Sequence, residues 1–238
     1  MNSGNSSSKR RAGAELGARD RRILDDIIRL RLLTNEAVQR RHLSQAKMNG
    51  AVKVTSRLVK SGWLNAYTFA GRRQYFVTGS MAVRTFGLPV SRTRPLGPQS
   101  LASHLSVVEY FTNIGPQLRA LSSAEIGERI VRSNNEQRSL VHVTDGGVPG
   151  SPLQLIRVDL GGTAAHIAKK LNSDVSVRVG NSVYASLISQ QRLIFVVLTP
   201  TESKKACIES AIRRRPWPTG LRFSVCVTPV LSSLLGEN

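Results

Sequence analysis

Residues 19–86 constrain the fold most strongly, because their hydrophobic pattern changes from helical spacing to strand spacing. Three stretches between residues 19 and 60 repeat apolar residues every three or four positions, which predicts three helices. Residues 63–69 and 74–77 then alternate apolar and polar side chains, as strands do, around the turn 70–73. The pattern therefore predicts three helices followed by a two-stranded hairpin.

The boundaries of the second and third helices follow from capping residues and glycine. Thr34 is a good N-cap for a second helix over residues 35–43. The third helix is predicted over residues 46–60, unless Gly50 marks the preceding turn and the helix begins at Ala51. Polar residues of the first two helices are expected on their outer faces, namely Asp25, Asp26, Gln39, Arg40, Arg41 and His42.

Basic and amide side chains concentrate on the third helix and on the hairpin turn. Helices followed by a hairpin in this order form the winged helix-turn-helix, which places its third helix in the major groove of DNA. Arginine, lysine, asparagine, serine and threonine are the side chains that contact phosphates and base edges there. The predicted DNA-binding residues are Lys47, Asn49, Lys53, Thr55, Ser56, Arg57 and Lys60 on the helix and Arg72 and Arg73 on the turn.

The charge of the chain agrees with a nucleic-acid partner. The formal net charge is +19, and residues 1–98 carry 19 Lys and Arg against 5 Asp and Glu, a net of +14. Charge of this size favours nucleic acid or an anionic membrane surface as the partner. No basic amphipathic helix with an aromatic face and no long apolar run is found, so we expect double-stranded DNA and no membrane.

Changes in composition divide the chain into four parts. Residues 1–18 are predicted to be a flexible basic arm that contains Lys9, Arg10 and Arg11, and residues 19–87 form the winged helix-turn-helix. Residues 88–100 are rich in proline and glycine and form a linker. Residues 101–238 form a small mixed α/β domain, which begins with a connecting helix that is a candidate dimer seam. The predicted fold class is α+β.

The last part leaves two functions open, dimerisation and DNA cleavage. A helix, a strand hairpin, a further helix and a buried strand over residues 193–198 also occur in restriction-endonuclease-like nucleases. Such enzymes bind Mg²⁺ through two carboxylates and a nearby lysine. Asp145 and Asp159 are the candidate carboxylates. A lysine is missing after Asp159, although Lys169 and Lys170 follow on the next helix.

Several stretches resemble the replication-relaxation family of plasmids and other mobile elements. The resemblance lies in RDRRILDDIIRLRLLTNEAVQRRHL, SRLVKSGWLNAY, GRRQYFVTGSMAVRTFG and SHLSVVEYF, over residues 19–115, and in IRVDLGGTAAHIAKKL. It implies a DNA-binding protein with a winged-helix half. A winged-helix regulator of another family is the alternative.

The sequence as a whole predicts a DNA-binding protein and no enzyme. We expect a transcription regulator or a replication or mobilisation accessory factor, acting in the cytoplasm as a homodimer on paired half-sites. No catalytic residue, metal ligand or cofactor is expected, since the two cysteines and the histidines lack the spacing of ligands or nucleophiles. A Mg²⁺-dependent nuclease is the alternative function.

Overall fold

The computed structural model describes residues 16–114, 117–129, 140–145 and 150–236. Within these ranges the chain forms ten α-helices, one 3-10 helix and two β-sheets. The predicted α+β class is therefore confirmed. Among the same residues, no helix is both long enough and apolar enough to cross a bilayer. The basic arm with Lys9, Arg10 and Arg11 lies outside the described residues.

The first half of the chain has three helices and a small antiparallel sheet. Its elements are α1 (Ala18–Leu30), β1 (Leu33–Thr34), α2 (Asn35–His42), α3 (Met48–Lys60), β2 (Leu64–Phe69) and β3 (Arg73–Thr78). The strand order is β1-β3-β2, with both pairs antiparallel. Ile23, Leu33 and Leu58 are among the buried residues that join the helices to this sheet.

Two residues set the ends of α2 and α3. The Thr34 hydroxyl accepts a hydrogen bond from the Ala37 amide at 3.2 Å, so the predicted cap is confirmed. Gly50 lies inside α3, which begins at Met48 and therefore between the two predicted starts. A Cβ at position 50 would lie only 3.1 Å from the Cβ of Ala46, so the glycine lets the preceding turn pack closely on the helix.

Arg41 and His42 of α2 turn inward, which contradicts their predicted exposure. The Arg41 Nε and the His42 Nε2 each lie 2.9 Å from the Asp26 Oδ2. Asp26 is only 8% exposed, so it is not the solvated surface charge that the sequence predicts. Burial alone would raise the pKa of Asp26, but the hydrogen bonds and charges of His42 and Arg41 hold it below its usual value. The Arg41 guanidinium also lies 5.3 Å from the centre of the Phe111 ring.

The predicted linker is fixed against the first half by hydrogen bonds to its carbonyl groups. It follows α4 (Ser80–Phe86), contains the 3-10 helix Val90–Thr93 and leads into α5 (Pro98–Ile114). The Tyr67 hydroxyl donates to the Thr93 carbonyl at 2.7 Å, and Arg31 donates to the Ser91 carbonyl at 2.8 Å. The proline-rich segment therefore has a defined position on the helical unit.

Unfolding should become easier between pH 7 and pH 4.5 because of His104 on α5. Burial, followed by the nearby charges of Arg31 and Arg92, lowers its pKa to about 4. The His104 imidazole binds a proton near pH 6.5 in the unfolded chain but only near pH 4 in the folded chain. The stability present above pH 6.5 is therefore lost as the pH falls from 6.5 towards 4. We expect a loss of roughly 2 kcal/mol by urea unfolding. His104→Leu should remove most of it, and an unchanged pH dependence in this variant would contradict the assignment.

The second half is built on a five-stranded sheet. Its strands are β4 (Leu118–Ala120), β5 (Val141–Asp145), β6 (Leu153–Val158), β7 (Leu193–Thr199) and β8 (Arg222–Val227), in the spatial order β4-β5-β6-β7-β8. The first three strands pair antiparallel and the last three parallel. The helices are α6 (Ser123–Arg129), α7 (Ala164–Val179), α8 (Ser182–Ser189), α9 (Glu202–Arg213) and α10 (Pro229–Leu235).

Helix α5 lies in the core between the two halves, so its apolar face is not a free dimer seam. Leu105, Val108 and Phe111 of α5 are each at most 2% exposed. They belong to one cluster that reaches from Ile23 of α1 to Val196 of β7. On the other face of the sheet, α7, α8 and α9 form a second cluster. One hydrophobic core therefore continues across the predicted domain boundary.

The two edges of the large sheet differ. On the β4 edge, Arg41 donates to the Leu118 carbonyl at 3.2 Å and Arg29 donates to the Ala120 carbonyl at 3.0 Å. On the β8 edge, the backbone groups of residues 222–227 form hydrogen bonds with β7 and with no other described element. Side chains of the first half therefore cover one edge, whereas the backbone of the other edge has no hydrogen-bond partner besides β7 among the described residues.

Candidate nucleic-acid interface

Helix α3 presents one polar, basic face to solvent. Ala51, Val54 and Leu58 pack inward and are buried. The residues at Asn49, Lys53, Ser56 and Lys60 recur every three or four positions, so they lie on one side of the helix. The exposed residues of α3 and its N-cap, here called the α3 face, are Lys47, Met48, Asn49, Val52, Lys53, Ser56, Arg57 and Lys60.

Three lysines give the α3 face an uncompensated positive charge. Lys47, Lys53 and Lys60 are exposed, and none of them forms an ion pair with a described carboxylate. They extend from the N-cap to the last residue of a 13-residue helix, a length of about 20 Å. A charge row of this kind attracts a polyanion.

Thr55 must be removed from the predicted DNA-binding set. It is 1% exposed. Its hydroxyl lies 2.9 Å from the Asn35 Oδ1 and 3.1 Å from the Ala51 carbonyl, so it joins α3 to α2. The sequence pattern places Thr55 one position from the exposed Ser56, and only the packing of α2 shows which of the two faces solvent.

Arg57 is partly committed to an internal ion pair. Its Nη2 lies 2.8 Å from both carboxylate oxygens of Asp20, which is only 4% exposed. The side chain of Arg57 remains 45% exposed. Arg57 therefore anchors α1 to α3 at the border of the α3 face, close to the exposed Arg19.

The two arginines of the hairpin have different positions. Arg72 lies at the tip, in the turn between β2 and β3, and is exposed. Ala70 and Gly71 make this turn with positive φ angles of 40° and 80°. Arg73 begins β3, and its guanidinium lies 5.1 Å from the centre of the Phe69 ring.

Arg73 also lines a cavity at the junction of the two halves. The cavity has a volume of about 150 Å³, and Arg40, Glu109 and Val230 contribute to its wall. Both arginines of the turn are exposed, but Arg73 also lies over the Phe69 ring and beside this cavity.

Two apolar residues of the α3 face were missed by the sequence reasoning. Met48 and Val52 are each 40% exposed. Because Val52 is apolar, its residue type alone favours the buried side of the helix. The helical phase could have shown its true position, since Val52 follows Met48 by four residues and Asn49 by three.

The backbone places the two aspartates of the nuclease alternative at opposite ends of the strands. Val143 pairs with Gln154, so Asp145 lies level with residue 152 at the start of β6, whereas Asp159 follows its end. Seven residues of a strand separate these levels by about 23 Å. A shared metal ion requires both carboxylates within bonding distance, and a backbone separation of this size is too large for two aspartates to reach one ion.

Asp159 instead stabilises a turn. It is fully buried, and its Oδ1 accepts hydrogen bonds from the amides of Gly161 and Gly162 at 3.1 and 3.0 Å. Its Oδ2 lies 3.3 Å from the Thr199 hydroxyl and 4.0 Å from the Lys204 Nζ. Lys169 and Lys170 lie exposed on α7. Among the described residues, no group of three or more histidine, cysteine or acidic side chains could hold a metal ion.

Comparison with protein-family models gives no match, and comparisons with curated proteins and with solved structures give none either. The resemblance to the replication-relaxation family thus remains a prediction from the residues that carry it. The geometry of the α3 face and of the Arg72 tip is the basis for a functional proposal.

Proposed function

We propose that this chain binds double-stranded DNA through a winged helix-turn-helix formed by its first half. The observation that carries the proposal is the α3 face, with three exposed lysines that have no acidic partner among the described residues. The element order α1-β1-α2-α3-β2-β3 and the sheet order β1-β3-β2 support the same interpretation. In this mode α3 enters the major groove and Arg72 contacts the flanking backbone.

The second half serves as a scaffold in this proposal. Its helix, antiparallel strands, further helices and parallel strands agree with a restriction-endonuclease-like sheet. The backbone separation of Asp145 from Asp159 supports a scaffold role over a shared metal site. Following the family resemblance, we propose a transcription regulator or a replication or mobilisation accessory factor of a mobile element. One α3 reads one short half-site, so we propose that two copies bind together.

The test is binding of the full-length chain to a fluorescent duplex at several salt concentrations, with and without Mg²⁺. We expect affinity to fall steeply with salt, because the lysines displace counterions from the phosphates. The duplex should stay intact when Mg²⁺ is added. Affinity that does not respond to salt would contradict a phosphate-dominated interface, and cleavage would restore the nuclease alternative.

Arg72→Ala should weaken DNA binding about fivefold in about 0.15 M salt, because one phosphate contact contributes about 0.9 to the salt slope. Arg73→Ala is the matched control, since its guanidinium lies over the Phe69 ring and beside the cavity. Anisotropy titrations at three salt concentrations measure both slopes. Equal losses in the two variants would show that the hairpin tip has no special role.

A further inference from the structure

Two apolar side chains lie side by side among the polar residues of the α3 face. Met48 and Val52 are four residues apart, and each leaves 40% of its surface in water. Asn49 and Lys53 flank them on the same exposed side. A single exposed apolar residue is ordinary on a protein surface, but an adjacent pair within a ligand-binding face indicates an apolar group on the ligand.

We propose that Met48 and Val52 contact thymine methyl groups, and that the protein selects half-sites with A·T base pairs under the first turns of α3. This inference rests on the proposed DNA-binding function and adds the class of sequence that is bound. The thymine 5-methyl group is the apolar group that base edges present in the major groove. Phosphate groups along the backbone are charged and offer no equivalent contact for two apolar side chains.

The neighbouring residues support the same base pairs. Asn49 is exposed, and an asparagine amide can donate to N7 and accept from N6 of adenine, the partner of thymine. Residues at i and i+4 of a helix are about 6 Å apart, which is close to two base steps of about 3.4 Å. Met48 and Val52 can therefore reach methyl groups on nearby base pairs, while Lys47 and Lys60 lie towards the phosphates at the two ends of the helix.

The experiment compares thymine with deoxyuridine, which lacks only the 5-methyl group. A duplex is selected by the full-length chain from a randomised pool, and each thymine is then replaced singly by deoxyuridine. The wild-type chain should lose about fourfold in affinity at one or more positions, the effect of one buried methyl group. Val52→Ala or Met48→Ala should bind the thymine and deoxyuridine duplexes equally at the matching position.

Val183→Ala is the matched control, because it makes the same change at a valine of α8 that is 39% exposed and lies outside the α3 face. This variant should retain the full deoxyuridine penalty. Duplex binding without a penalty at any thymine would overturn the inference and leave the proposed function intact. A penalty that persists in both apolar variants would overturn it as well. Absence of duplex binding by the wild-type chain would overturn both.

Discussion

Replacing Lys53 and Lys60 together by alanine should lower DNA affinity about 30-fold in about 0.15 M salt and reduce the salt slope by about 2. Both lysines are exposed on α3, and neither forms an ion pair with a described carboxylate. Each released phosphate contact contributes about 0.9 to the slope, and the two contributions add because the residues are seven positions apart. Anisotropy titrations from low to high salt measure the affinity and the slope in the same experiment.

The control must remove the same charge from a different surface. Lys169→Ala with Lys170→Ala does so, since both lysines are exposed on α7 in the sheet half. This variant should keep nearly wild-type affinity and slope. If the two double variants lose affinity equally, the net charge of +19 and not the α3 face determines binding. All four side chains are solvated, so neither variant should change the free energy of unfolding by much more than about 0.5 kcal/mol.

Asp26→Ala should lower the free energy of unfolding by about 3–5 kcal/mol, because it leaves the buried charge of Arg41 without its partner. The side chain of Arg41 is only 4% exposed and that of His42 only 8%, so water cannot replace the lost carboxylate. Because the pKa of Asp26 is lowered, the stability that this network contributes is lost only in acid. Its contribution is complete above the unfolded pKa near 3.8 and is lost as the pH falls below that value. Urea unfolding at pH 7 measures the loss.

The adjacent aspartate provides the control for this variant. Asp25 forms an i,i+4 pair with Arg29, and its side chain is 52% exposed. Asp25→Ala should therefore cost less than about 1 kcal/mol, as exposed ion pairs do. Similar losses in the two variants would mean that the Asp26 network is no more than a surface interaction.

The elements that a local pattern specifies were predicted well. The helical spacing of apolar residues predicted α1 and α2, and the position and residue type of Thr34 predicted the cap of α2. The buried strand over residues 193–198 was identified from its continuous apolar run. In each case the signal lies within a few neighbouring residues, so no knowledge of distant contacts was needed.

Contacts between distant parts of the chain were not predicted. Arg41 and His42 carry the polar pattern of an exposed face, but α5, some seventy positions later, packs over it and brings Phe111 against Arg41. The linker is rich in proline and glycine, yet its backbone carbonyls accept hydrogen bonds from Tyr67 of β2 and from Arg31, which directly follows α1. No residue within the segment signals that these acceptors will be used.

The unequal edges of the large sheet limit how copies of this chain can join. Arg29 and Arg41 occupy carbonyl groups of β4, so a foreign strand would have to displace two charged side chains to pair there. The six residues of β8 carry no such protection from the described residues. If two molecules paired through β8, the edge strand of each would be occupied by that of the other. Addition of strands to this sheet would therefore end with a pair.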